Sequence, residues 1–116
     1  MKAAIGIDLV EIETIKEKAN ARFINRILSD KEKPLYDAIS HPKKKLEFLA
    51  GRFAAKEAYT KLYQRFEEPL NFKDVSVLKN ENGAPYLESN YRNQDKILIS
   101  ISHSDHYVVA ICQLVE

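Results

Sequence analysis

Three short stretches of this 116-residue chain hold residue types that can act on phosphate or hold a metal. Asp8 interrupts the apolar run Ala3-Ala-Ile-Gly-Ile-Asp-Leu-Val-Glu-Ile12, where a carboxylate is costly unless it is paired or bound to a cation. Glu57 and Lys61 stand four residues apart in Phe53-Ala-Ala-Lys-Glu-Ala-Tyr-Thr-Lys61, so on a helix they share a face, with Phe53 one turn earlier on the same line. His103 follows the apolar run Ile97-Leu-Ile-Ser-Ile101 and lies between Ser102 and Ser104. An imidazole there can donate to a phosphate or move a proton.

Each stretch has two readings when taken alone. Glu57 and Lys61 fit an ion pair on a solvated helix face; they also fit a carboxylate and an ammonium at the edge of a core, placed for a metal and a phosphate. Asp8 fits a carboxylate paired with a buried base, or the second ligand of an oxygen-coordinated Mg²⁺, which binds one or two carboxylates and keeps room for substrate phosphates. His103 fits a polar turn or a group facing a ligand. A Ser/His/Asp nucleophilic triad is a poor reading of Ser102-His-Ser-Asp-His106, because sequence neighbours in a tight turn rarely converge as nucleophile, base and orienter.

The elements that must position these residues follow from periodicity. Residues 3–12 read as a strand, with Ile5, Ile7 and Leu9 on one face and Gly6, Asp8, Val10 and Ile12 on the other. Glu13 to Ile39 reads as short helical pieces, one of them opened by the capping box Ser29-Asp-Lys-Glu32. Pro42 suits a helix start, and Leu46, Leu49, Phe53, Ala54, Ala58, Leu62 and Phe66 predict a long helix from Lys43 to about Phe66. After Pro69 the period becomes two. Strands are predicted over Phe72–Lys79, Ala84–Glu88, Ile97–Ser102 and Tyr107–Val115, with Asn80-Glu-Asn-Gly83 as a hairpin turn. The expectation is one α+β domain over residues 1–116, with antiparallel pairing among the last four strands.

Composition narrows the function. Apolar residues make up 45% and charged residues 30%, which excludes a disordered or low-complexity chain. Cys112 is the single cysteine, so no intrachain disulfide or thiolate zinc site forms, and a reducing cytoplasm is expected. A carboxylate at position 8 argues against a signal peptide, and no run approaches a membrane span. The net charge of +1 conceals an asymmetry: between Lys16 and Arg65 there are 13 basic and 6 acidic residues, a surplus of +7, and the rest of the chain carries −6. A basic middle suits a solvated helical surface, an anionic partner, or subunits that meet with opposite charges.

In this order and spacing, Gly6-Ile-Asp-Leu-Val-Glu-Ile12, Arg52-Phe-Ala-Ala-Lys-Glu-Ala-Tyr-Thr-Lys61 and Ile101-Ser-His-Ser104 resemble the signature of the 4′-phosphopantetheinyl transferases. Leu49-Ala-Gly-Arg-Phe-Ala-Ala-Lys-Glu-Ala58 is similar to the holo-acyl-carrier-protein synthase branch, and Asn82-Gly-Ala-Pro-Tyr86 to its Gly-x-Pro hairpin. The resemblance implies an antiparallel sheet packed on a long central helix, in a trimer whose active sites lie between subunits. It implies Mg²⁺-dependent transfer of phosphopantetheine from coenzyme A to a serine of apo acyl carrier protein, serving fatty acid biosynthesis. Asp8 and Glu57 match the metal carboxylates, Lys61 the lysine at the transferred phosphate, His103 the histidine of the coenzyme A site, and Lys44 and Arg52 basic positions for the nucleotide phosphates. The chain departs from the pattern at Thr14, where many relatives are basic; Lys16, Lys18, Arg22 and Arg26 are the substitutes for contact with an acidic carrier. Neither nucleic acid nor membrane is an expected partner. The competing reading is a non-catalytic module that docks nucleic acid or an acidic protein through its basic helices. Lys43-Lys-Lys45 supports it, yet aromatic residues are not interleaved with the basic ones as a single-strand binder requires.

Overall fold

The computed structural model describes residues 4–62, 70–91 and 95–115. The chain runs β1 (Ala4–Glu11), α1 (Ile12–Lys18), α2 (Ala21–Ile27), α3 (Glu32–Asp37), α4 (Pro42–Leu62), a 3₁₀ turn (Phe72–Asp74), β2 (Val75–Lys79), β3 (Pro85–Ser89), β4 (Lys96–His103) and β5 (Tyr107–Val115). Among the described residues these make an antiparallel three-stranded sheet in the order β1-β5-β4 and a separate β2-β3 hairpin. The antiparallel pairing expected among the last four strands is found, β2 with β3 and β4 with β5, and β5 pairs on its other edge with β1.

Local chemistry sets the element boundaries. Asn20 caps α2 by accepting from the Phe23 amide at 2.9 Å. The capping box before α3 forms reciprocally: the Ser29 amide donates to Glu32 Oε1 at 2.8 Å and the Glu32 amide to Ser29 Oγ at 3.2 Å. Pro42 opens α4, whose 21 residues span about 31 Å; the continuation expected to Phe66 lies outside the described residues. The strand expected from Phe72 begins only at Val75, because the Asn71 side chain accepts from the Lys73 amide and winds Phe72–Asp74 into a 3₁₀ turn. Gly83 takes a φ of +81° in the hairpin turn, a conformation costly for any residue with a Cβ.

The core forms where α4 crosses the inner face of β1 and β5. Leu49, Ala50, Ala54, Ala55, Ala58 and Leu62 of α4 are buried with Val10, Val108, Ala110, Cys112 and Leu114 of the sheet. Small side chains bring the helix close to the strands: a Cβ added at Gly6 would lie 2.1 Å from the Ala58 carbonyl oxygen. The predicted parity of β1 holds, but its second face is uncovered. Ile5, Ile7 and Leu9 are 63%, 55% and 66% exposed, and Leu98 and Tyr107 are exposed as well.

On its far side α4 carries a buried charge. The Lys56 ammonium, with no exposure, pairs with the equally buried Glu32 and donates to the Ile27 carbonyl at 2.7 Å and the Phe72 carbonyl at 3.0 Å. Glu32 Oε2 also accepts from the Val77 amide at 2.8 Å. One ion pair therefore ties α2, α3, β2 and the 3₁₀ turn to the central helix. Lys56→Met leaves Glu32 buried without its countercharge and is expected to destabilise the fold by about 3–5 kcal/mol. Urea unfolding measures this, and a loss under about 1 kcal/mol, the scale of an exposed pair, contradicts it.

Candidate active site

The close approach of β1 to α4 brings the first two sequence stretches together. Asp8 projects on the Gly6 and Val10 side of β1, largely buried, and Lys61 Nζ donates to Asp8 Oδ1 at 2.9 Å and to the Ile7 carbonyl at 3.1 Å. Lys61 thus pairs with Asp8 across elements; among the described residues no ion pair joins it to Glu57. Glu57, one helical turn earlier and half-buried, has its carboxyl pushed above the ordinary range, first by burial and then by the Asp8 charge, with Lys61 opposing. The two carboxylates stand together here beside one ammonium. They line a cleft of about 330 Å³ with Glu11, Thr14, Lys18 and Phe53.

A second cleft, of about 980 Å³, adjoins the first and shares Lys18, Phe53 and Glu57 with it. Its rim carries Arg22 and Arg26 of α2 and its floor Phe23 and Phe72. The expected substitutes for a basic residue at position 14 therefore divide: Lys18, Arg22 and Arg26 face this cleft, while Lys16 lines a different one with Glu11, Glu13 and Lys43.

The third stretch lies elsewhere. Lys44, Arg52 and His103 line a cleft of about 570 Å³, closed by the hairpin residues Lys79, Gly83 and Pro85. The buried Arg52 guanidinium lies 3.7 Å over the Phe48 ring, and its Nε has no hydrogen-bond partner among the described residues. Burial holds its pKa below the ordinary guanidinium range, with Glu32 opposing. An under-satisfied cation facing a cleft is a ready anion site. Lys44 and Glu57 are thirteen residues apart along α4, about 20 Å, and Arg52 and Glu57 point about 140° apart around its axis. One chain therefore holds the carboxylate cluster and the basic cleft as separate halves.

Two residues of these halves escaped sequence reasoning. Glu47 lines the basic cleft, and its spacing from Lys44 already placed both on one face of α4. Lys79 enters through the β2-β3 hairpin, and no spacing signal tied it to Arg52.

A small α+β domain with paired carboxylates, an ammonium and a separate basic cleft is equipped for chemistry on phosphate esters. The sequence profile of the 4′-phosphopantetheinyl transferase superfamily matches residues 4–112, and the chain belongs to that family. A holo-[acyl-carrier-protein] synthase of Acholeplasma laidlawii (strain PG-8A) is 43% identical over 111 residues, covering 96% of this chain and 94% of the relative. One from Geobacillus sp. (strain WCH70) is 44% identical, covering 95% and 93%. Among solved structures, a holo-(acyl-carrier-protein) synthase from Bacillus anthracis str. Ames in complex with CoA (3′,5′-ADP) superposes with a TM-score of 0.86 at 34% identity, over 96% of this chain and 94% of that one. The Helicobacter pylori enzyme in complex with coenzyme A gives 0.80 at 28% identity, over 96% and 99%.

The raised Glu57 carboxyl has a consequence for stability. The folded state holds the Glu57 proton more tightly than the unfolded chain, so this group makes stability fall as pH rises from about 4.5 through its raised value. Without divalent ions, Glu57→Gln is expected to melt above the wild type at pH 7, with the gap closing toward pH 4. Melting in EDTA across that range measures it; a variant that melts lower at pH 7 contradicts the penalty that burial and the Asp8 charge place on the ionised Glu57.

Proposed function

We propose that this chain transfers the 4′-phosphopantetheine group of coenzyme A to a serine hydroxyl of apo acyl carrier protein, releasing adenosine 3′,5′-bisphosphate. The carrying observation is that Asp8 and Glu57 line one cleft and Lys61 pairs with Asp8, in a chain whose relatives are named for this synthesis. Two partly buried carboxylates side by side, the Asp8 charge raising the proton affinity of Glu57, fit a divalent cation, and an all-oxygen pair open to substrate phosphates suits Mg²⁺. Asp8 and Glu57 would hold it, and when bound it neutralises charge on the diphosphate.

The chain's own groups do the remaining work. Lys61 turns its ammonium from Asp8 toward the transferred phosphate and offsets charge there as the diphosphate bond breaks. Glu57, the carboxylate of α4 that lines the cleft, takes the serine proton. Arg52, Lys44 and His103 hold the nucleotide phosphates. Lys18, Arg22 and Arg26 rim the cleft next to Glu57 and offer an acidic carrier protein a complementary surface, so its association weakens as salt rises.

The two halves become one site in an oligomer. The outward face of β1, β5 and β4 exposes Ile5, Ile7, Leu9, Leu98 and Tyr107, an apolar patch of the kind that subunit contacts cover. A closed trimer through this face sets the carboxylate half of one subunit against the basic cleft of the next. The apolar face gives no support to a nucleic-acid module. A cytoplasmic setting, where coenzyme A and fatty acid synthesis are found, completes the reading.

Two measurements test it. Mass spectrometry of an apo carrier protein incubated with coenzyme A and Mg²⁺ should show one added phosphopantetheine, and Glu57→Ala should slow the reaction about 10²–10⁴-fold without lowering the melting temperature; an unmodified carrier, or full rate in the variant, overturns the assignment. Ile7→Asp should convert a trimer in light scattering to monomers and remove most activity, whereas a fully active wild-type monomer contradicts the shared site.

A further inference from the structure

The carboxylate cluster on β1 and α4 already holds a cation of its own. Lys61 Nζ lies 2.9 Å from Asp8 Oδ1 and 3.1 Å from the Ile7 carbonyl oxygen, so one ammonium bridges two neighbouring oxygens of β1. That is ground a divalent ion on Asp8 would also claim. The two partners differ in freedom: the Asp8 side chain is only 14% exposed, whereas that of Lys61 is 55% exposed. Asp8 is held in the wall of the cleft, and the long lysine side chain is the member that can swing away.

Electrostatics makes the two cations competitors. Burial and then the Asp8 charge raise the proton affinity of Glu57, and Lys61 lowers it. The ammonium thus supplies part of the neutralisation that a divalent ion between Asp8 and Glu57 would supply in full. Two positive groups on one carboxylate repel each other, so the ion and the ammonium exclude one another there. A half-exposed ion pair is also weak. A diphosphate, with more charge and more acceptor oxygens than Asp8, is the kind of ligand that can draw the ammonium off.

We propose that Lys61 is a resident substitute for the divalent cation in the free protein, and that a diphosphate ligand draws it from Asp8 to open that carboxylate to the ion. The inference deepens the functional reading above and rests on it for the identity of the diphosphate, that of coenzyme A. The free protein then takes up little divalent ion by itself. Ion and diphosphate strengthen each other's binding by one common factor, and part of that factor is the release of Lys61.

Mn²⁺ is the probe. Its affinity for the metal-free protein without coenzyme A is read from the electron paramagnetic resonance signal of the unbound ion. Lys61→Met and Lys61→Gln should each bind Mn²⁺ about tenfold more tightly than wild type, the scale of a broken half-exposed ion pair and a removed repulsion together. The gain should disappear when Asp8→Asn is added to either. Coenzyme A should tighten Mn²⁺ binding by a larger factor in the wild type than in the two lysine variants. Unchanged or weaker Mn²⁺ binding in a lysine variant that melts cooperatively overturns the proposal, as does a gain that survives Asp8→Asn or an equal coenzyme A factor in all three proteins. A wild type with no transferase activity, beside lysine variants that still bind Mn²⁺ more tightly through Asp8, overturns the functional reading and keeps Lys61 as the resident cation.

Discussion

Lys56 carries its ammonium into a site without solvent, and the packing of the small helices depends on what it finds there. Glu32 supplies the countercharge, and the carbonyls of Ile27 and Phe72 complete the donor's shell. A pair of this kind adds little net stability, because desolvating both ions offsets their attraction. It does gather groups from α2, α3, β2 and the 3₁₀ turn at one point, where each donor finds an acceptor. Ser29 and Ser76 extend the network through a 2.6 Å hydroxyl contact. Because Glu57 follows Lys56 directly, the residue that anchors the helix on one side sets the angle at which the carboxylate leaves the other.

The opposite side of α4 obeys a steric constraint. Gly6 leaves no side chain between β1 and the Ala58 carbonyl, so the strand comes near enough for Asp8, two residues on, to meet Lys61 and to raise the proton affinity of Glu57. Burial and like charge act in the same direction at this cluster, and a cation relieves both. The basic cleft lies nearer the other end of α4, around Arg52 and the turn after β4. The sheet beside these regions has an apolar outer face. In the proposed trimer, subunit association covers an exposed patch and joins two half-sites in one step.

Much of this could be read from residue patterns, and the exceptions have physical causes. The alternation in β1 placed Asp8 on the Gly6 side, and the capping box at Ser29 marked α3, because both signals are local in sequence. Strand partners are not local: period two shows which residues share a face but not which strand lies alongside, so β5 between β1 and β4 was invisible. Phe72 to Asp74 alternates like a strand, yet one Asn71 hydrogen bond winds it into a turn. Lys56 reads as one more surface charge in a basic helix, since its partner lies 24 residues away. Glu47 was overlooked for the related reason that a carboxylate among lysines looks like ordinary helix-surface pairing until His103 is seen against it.

The central claim is that catalysis needs the carboxylate half of one subunit and the basic cleft of another. Mixing two inactive proteins tests it most directly: Glu57→Gln, which retains an intact basic cleft, and a Lys44→Glu, His103→Ala double variant, which retains an intact carboxylate cluster. After random reassembly at equal amounts, transfer of phosphopantetheine to carrier protein should return to about a quarter of the wild-type rate, the share of interfaces that pair two intact halves in a head-to-tail ring. A mixture as inactive as its components, although exchange of subunits has occurred, would contradict the shared site.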